Sequence, residues 1–449
     1  MKNKKVSAIA LLPFLIFIGV YLITGIVLNA RGVEMAFYQL PSPVAAVVGI
    51  IAAFIIFKGT IDEKFNSLIK GCGNENIIII IMCIIFLLAG AFSTVSKSMG
   101  GVDSVVNLGM SVIPAQYISV GIFVISSFIA ISTGTSVGTV VAVAPIAIGF
   151  AQAAGLNEAL VIGATIGGGM FGDNLSIISD TTIAATRTQG VEMKDKFKAN
   201  FLIALPAAIV TIGLLLVFGR PDVIPPVKAY DYELIKVVPY MFVLIAALCG
   251  MNVFVVLTGG IVLSGIIGIA GGSFTTLVFS QQIFEGFKGM LDIFLLSMLM
   301  GGLAYMVEKE GGINWILNKI KKVIKGKKTA ELGISAMVSI TDMATANNTV
   351  AILINGPIAK EISEEYGIEP KRAASLLDIF SCVFQGLIPY GAQVLFACAS
   401  IKGLNSPFDV VYFCWYQGLL AVFALLSIYV PYTDMIHSKL ANRKSKKSI

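Results

Sequence analysis

The sequence predicts an all-α polytopic membrane protein of two inverted repeats, each with five transmembrane helices and one re-entrant hairpin, about ten spans and two hairpins in all. Three observations predict it: apolar composition, an internal repeat and the placement of lysines. Of 449 residues, 57% are apolar and only 13% charged, with mean hydropathy +0.89. Soluble domains lie nearer half apolar and a quarter charged. Apolar runs of roughly 17–25 residues, long enough to cross hydrocarbon, recur along the chain. The polar stretches between them are too short to enclose a core. The net charge of +6 falls largely on loops and tails, a topology signal that argues against a nucleic-acid partner. The start, MKNKK, leads into the apolar stretch Ile9–Leu28. That stretch reads as a retained first span, because a signal peptide has a shorter core and a small-residue cleavage site.

The chain also matches itself at an offset of about 211–216 residues. Gly49-Ile50-Ile51 aligns with Gly265-Ile266-Ile267, and Gly100-Gly101-Val102 with Gly311-Gly312-Ile313. Pro145-Ile146-Ala147 aligns with Pro357-Ile358-Ala359, Gly155-Leu156 with Gly367-Ile368, and Leu175 with Leu387. Each half reads as three apolar spans, two broken segments and a closing span. The first repeat, 1–218, has spans near 9–28, 43–57 and 77–96, a hairpin at 115–153, a broken helix at 158–186 and a last span at 199–218. The second, 219–449, has spans near 236–252, 254–271 and 287–306, a hairpin at 330–360, a broken helix at 372–401, a last span at 409–431 and a basic cytoplasmic tail at 432–449.

Lysines decide whether the first broken segment of each half crosses the membrane or returns. If each returns, and the N-terminus is cytoplasmic, Lys58, Lys64 and Lys70 lie inside, with Arg187, Lys194, Lys196 and Lys198. The cluster from Lys319 to Lys328 and the tail then also lie inside, as positive charge should. Crossing once would move two clusters outside. The arms of the second hairpin, near 330–341 and 349–360, read as too short to span. Hairpins leave five crossings per half, and an odd count inverts the halves. The expected location is the cell membrane, multi-pass, with both termini cytoplasmic.

Polar residues concentrate in the broken segments. Hairpin one turns at 132–139, with Thr133, Thr135 and Ser136; hairpin two turns at 341–349, with Asp342, Asn347, Asn348 and Thr349. Turns at membrane depth free backbone groups that lipid cannot satisfy, so they face protein or a wet cavity. Hydroxyls, amides and freed carbonyls are hard ligands for a small cation. The first broken helix carries Asp173, Asn174, Ser176, Asp180 and Thr182. Asp173 and Asp180 are seven apart and would share a face of a continuous helix; Gly167-Gly168-Gly169 would let it unwind. A carboxylate inside a membrane suggests an ion or proton pathway, and one able to hold either ion would exchange H+ for Na+. The mirror segment has Asp378, with Gln385 in the place of Asp173. No lysine or arginine falls in the middle of a span, which favours a cation as cargo. The six cysteines lack CxxC spacing and read as small buried hydrophobes. The single His437 lies in the tail, so a histidine-ligated metal is not expected. HExxH is absent, and the one GxSxG match, Gly134-Thr135-Ser136-Val137-Gly138, has no histidine at membrane depth to pair with its serine, which argues against an enzyme.

The stretch 172–182, GDNLSIISDTT, resembles the signature region of the NhaC-type sodium/proton antiporter family of the ion transporter superfamily. Gly134-Thr135-Ser136-Val137-Gly138-Thr139 followed by Pro145, and Leu387-Ile388-Pro389-Tyr390, are also similar to that family's elements. The resemblance covers essentially the full length. It implies an inverted-repeat fold with two re-entrant hairpins, no cofactor, and sodium as coupling ion at Asp173, Ser176, Asp180 and Thr182. The expected function is secondary active Na+/H+ antiport by alternating access, with Na+, H+ and the lipid bilayer as partners; a homodimer is one arrangement open to it. Gln385-Gly386, Tyr390 and Leu377 depart from the family pattern. The alternative is therefore sodium-coupled movement of a small organic solute such as an amino acid or carboxylate, held by Asn347, Asn348, Gln385 and Gln393. An ion channel fits paired hairpins less well than an occluding carrier does.

Overall fold

Twenty-one α-helices, and no strand, form among the described residues of the computed structural model, which are 6–33, 36–74, 77–177, 179–221, 231–249, 251–401, 403–404 and 406–430. The expected tail at 432–449 and His437 lie outside them. In the first half the helices are α1 (Leu12–Ala30), α2 (Ser42–Ile56), α3 (Ile61–Ile69), α4 (Ile77–Ser98), α5 (Gly101–Val112), α6 (Ile118–Thr133), α7 (Ser136–Ala154), α8 (Glu158–Leu175), α9 (Asp180–Gln189) and α10 (Met193–Phe218). The second half has α11 (Leu234–Leu248), α12 (Val253–Ala270), α13 (Thr276–Gly289), α14 (Leu291–Lys309), α15 (Gly312–Lys321), α16 (Lys327–Thr345), α17 (Asn348–Tyr366), α18 (Pro370–Gln385), α19 (Ala392–Ala399), α20 (Pro407–Val411) and α21 (Trp415–Tyr429).

Each expected apolar span falls on a helix, the last being split between α20 and α21. Five stretches are long and apolar enough to cross a membrane: Ile9–Leu28, Ser136–Ala154, Glu158–Gln189, Met193–Phe218 and Thr276–Lys309. Cys83–Ser98 and Gly101–Val112, bent by 73°, make a sixth if taken as one span, and five shorter apolar helices accompany them. The chain is a multi-pass membrane protein, all-helical among the described residues.

The broken segments form the interior. The window over α8 and α9 is 88% buried, against 28% for the N-terminal helix, so α1 presents most of its apolar surface outward. α8 is gathered in by glycines on its α6 face. A Cβ at Gly168 would meet the Phe123 carbonyl, and one at Gly172 would meet Ala130 and the Ser127 carbonyl. These glycines do not unwind the helix as the sequence suggested: α8 runs unbroken to Leu175. Close packing holds 167–169 helical, and the break falls later, between Leu175 and Asp180.

Matching positions of the halves adopt matching conformations. Gly100 and Gly311 are both left-handed and open the short helices α5 and α15. α6 ends on left-handed Gly134, and α7 is capped by extended Thr135, whose hydroxyl accepts from the Gly138 amide. Likewise α16 ends on left-handed Ala346, and α17 is capped by extended Asn347, whose side chain accepts from the Val350 amide. α7 and α17 both contain a proline and both end on a left-handed glycine, Gly155 and Gly367. In each pair the two helices pack against each other, so the chain reverses within two residues. The arms of the second pair are 19 residues each, not the dozen the sequence suggested. At 1.5 Å per residue they extend about 28 Å, so arm length does not itself force them to re-enter.

Candidate functional site

The tips of both helix pairs and both helix breaks meet around one cavity of about 40 Å³. It is lined by Thr135, Ser136, Val137 and Gly138 from the first tip, Asn347 and Asn348 from the second, Asp173 and Asp180 from the α8–α9 break, Gln385 and Gln393 from the α18–α19 break, and Ile85 of α4. Four helices, α7, α9, α17 and α19, begin here. Their N-termini carry partial positive charge, and the two carboxylates supply the negative charge that such ends stabilise.

Asp173, on the last turn of α8, is 2% exposed. Ser136 Oγ donates to its Oδ2 at 2.8 Å, and Thr181 Oγ1 donates to its Oδ1 at 3.0 Å. Ser136 in turn accepts from Gln393 Nε2 at 3.2 Å. Gln385 Nε2 donates to Gln393 Oε1 at 2.8 Å and to the Ala346 carbonyl at 3.3 Å. One polar chain therefore runs from the second tip, through both glutamines, to the first tip and Asp173. Asp180 opens α9 and is solvent-accessible; it accepts from Thr349 Oγ1 at 2.8 Å and from the Thr181 amide at 3.1 Å.

Of the residues singled out from the sequence, Thr135, Ser136, Asp173, Asp180, Asn347, Asn348, Gln385 and Gln393 line the cavity, and Thr349 touches it through Asp180. The Thr133 side chain is outside the described residues. Ser176 and Thr182 shape the break: Ser176 Oγ donates to the Ile131 carbonyl, and Thr182 Oγ1 donates to the Ser176 carbonyl, both at 2.8 Å. Asp342 lies apart in α16, fully buried, and neither of its oxygens has a hydrogen-bond partner.

Asn174 and Asp378 belong to a second cluster that the sequence did not reveal. Its centre is Lys196, which was assigned to a cytoplasmic loop. The structure instead places it in the first turn of α10 with 0% exposure. Its Nζ is 2.8 Å from Asp378 Oδ2, whose side chain is also 0% exposed. Nζ also donates to the Asn174 carbonyl at 3.0 Å and to Thr182 Oγ1 at 2.6 Å. Asn200 Nδ2 bonds Asp378 Oδ2 at 2.7 Å and the Asn174 carbonyl at 3.0 Å. Burial behind the helix break separates Lys196 from its basic neighbours. The available signal was Asn200, four residues on and on the same helical face. Thr181 and Ser179 were also missed; Ser179 caps α9 and bonds Thr181 and Thr182.

The family model described as the Na+/H+ antiporter family matches residues 2–220 and 226–432. A protein of Haemophilus influenzae named as an uncharacterised Na+/H+ antiporter is 23% identical over 416 residues, 82% of this chain and 86% of that one. The Na+/H+ antiporter NhaC of Bacillus subtilis is 24% identical over 369 residues, 75% and 80% of the two chains. The malate-2H+/Na+-lactate antiporter of Bacillus subtilis is 22% identical over 406 residues, 82% and 85%.

Proposed function

The chain belongs to the Na+/H+ antiporter family, and from that premise we propose that it exchanges sodium ions for protons at the cavity between the two helix-pair tips. The observation that carries this is the pairing of two carboxylates, Asp173 and Asp180, in one cavity with hydroxyls and helix N-termini but no lysine or arginine in its lining. Either carboxylate accepts a proton or joins a sodium shell of hard oxygens. A single pair of acids that holds one ion or the other, never both fully, is the elementary requirement for exchange. Asp173 with Ser136 and Thr135 forms the inner part of the sodium site, and Asp180 the outer. The hydroxyls of Ser176 and Thr182 act indirectly, by fixing the break.

We read the chain as two inverted repeats, 1–218 and 219–449, each giving five crossings, a re-entrant tip and a broken helix to a shared site, the plan of an alternating-access carrier. The matched caps at Gly134-Thr135 and Ala346-Asn347 support this reading. The setting is the cell membrane.

The organic-solute alternative draws on the malate and lactate carried by one relative, as its name states, and on the amide pair Gln385–Gln393. The cavity favours the ion. About 40 Å³ holds a sodium ion and a water or two, far below the roughly 300–1,000 Å³ of small-molecule pockets. Reconstitution decides between them. In proteoliposomes holding an imposed ΔpH, added Na+ should collapse the gradient, and Asp173→Asn should abolish the response. Accumulation of an amino acid or carboxylate on a sodium gradient, with ΔpH untouched, would overturn the antiport reading.

A further inference from the structure

We propose that Lys196 is a tethered stand-in for a second coupling cation, a reading that rests on the sodium–proton exchange proposed above. The ammonium lies in a cage of the kind a bare cation uses. Its three N–H donors meet a carboxylate oxygen of Asp378, the hydroxyl of Thr182 and the Asn174 carbonyl, the last freed by the break after Leu175. These are hard oxygens of three kinds. The same residues hold a surplus. Asp378 Oδ1, Asn174 Oδ1 and Asn200 Oδ1 are buried and accept no hydrogen bond. An ammonium has only three protons to give, so it leaves these oxygens idle. A spherical ion has no such limit and takes whichever of these hard oxygens lie within reach. The cluster therefore has the composition of an ion site and the occupant of an ion pair. With Lys196 balancing Asp378 permanently, Asp173 and Asp180 are left for the transported ions, and the cycle moves one sodium fewer than a chain with a small residue at 196 would.

The test is Lys196→Ala in the full-length chain. In proteoliposomes the Hill coefficient for Na+ should rise from about 1 in the parent to about 2 in the variant, and propylammonium in the medium should return it toward the parent value. In detergent, Na+ should raise the variant's melting temperature more steeply than the parent's, because ligand that binds only the folded state stabilises it. A variant that folds in sodium buffer but not in sodium-free buffer counts for the proposal; one that folds in neither counts against it. The double variant K196A/D378N, lacking the carboxylate that would recruit the ion, should show first-order sodium dependence and no response to the amine. An unchanged sodium slope in K196A, in both transport and melting, with no amine effect, overturns the idea. Absence of sodium-driven proton movement in the parent would instead sink the exchange reading, while sodium or amine stabilisation of K196A would still report on the cage.

Discussion

At Asp173 two hydroxyls donate to the two oxygens of one carboxylate. In the proposed exchange a sodium ion needs the charged carboxylate and a proton removes it, so the two compete for one group. The sign follows. As pH falls, the protonated carboxylate becomes commoner, and the apparent KM for Na+ should rise while the maximal rate at saturating Na+ holds. Sodium titrations of proteoliposome exchange at several pH values check this; a KM independent of pH would refute the shared site. Ser136→Ala removes one donor to the charged form, worth about 1.5–3 kcal/mol. The KM for Na+ at fixed pH should then rise roughly tenfold or more. Asp173, Asp180 and Ser136 were legible in the sequence because acids and hydroxyls are conspicuous among apolar neighbours. Lys196 was not. It follows Arg187 and Lys194 and precedes Lys198, and a count of positive charge cannot tell a lysine in water from one turned inward beneath a helix break. Removing Asp378 would leave that lysine buried without its counter-charge. Asp378→Ala should cost about 3–5 kcal/mol of stability, read as a lower melting temperature in detergent.

The tip of each helix pair is a two-residue device: a left-handed residue followed by an extended cap. The first tip uses Gly134 and the second Ala346, the one non-glycine residue with positive φ among the described residues. A side chain in that region costs roughly 1–2 kcal/mol. Gly134→Ala should therefore lower the melting temperature, whereas Ala346→Gly should leave it unchanged or raise it slightly, since relief of strain is offset by the freer unfolded chain. Thermal melts of both variants check the pair; equal destabilisation would mean the tips are not equivalent. Interior polarity in the broken segments located both tips in the sequence. It did not give the length of the arms, because the polar run before the second tip resembles a turn. In α16 three of the hydroxyls are instead satisfied within the helix. Ser335 bonds the Glu331 carbonyl, Ser339 the Ser335 carbonyl and Thr345 the Thr341 carbonyl. Hydroxyls that bond back one turn are compatible with helix, so the helix continues to Thr345. The glycines of α8 were misread for a related reason. Three in a row suggest freedom, but contact with α6 removes it.

Across the whole molecule, one set of polar contacts joins the halves around the site and the helix breaks, while Ser96–Ser264, Ser98–Gln282 and Lys309–Ser67 join them elsewhere. Gln393 reaches Ser136, Thr349 reaches Asp180, Lys196 and Asn200 reach Asp378, and Gln189 reaches the Gly356 carbonyl. A carrier that alternates must break and remake contacts between moving parts, and side-chain hydrogen bonds exchange with water more cheaply than packed apolar faces separate. Which parts move depends on topology, and topology depends on whether each helix pair returns to the side from which it entered. The arms are long enough to span, so the return rests on the turn and the lysines. α6 and α7 pack against each other, which returns Gly155 toward the start of α6. Cysteines placed at Asn107 and Asn157, in a background where the six native cysteines are replaced, should therefore be modified by an impermeant reagent from the same face, and cysteines at Lys194 and Lys325 from the other. Labelling of positions 107 and 157 from opposite faces would make the first pair a simple crossing, move the basic run at 187–198 outside, and remove the inversion on which a shared, alternately exposed site depends.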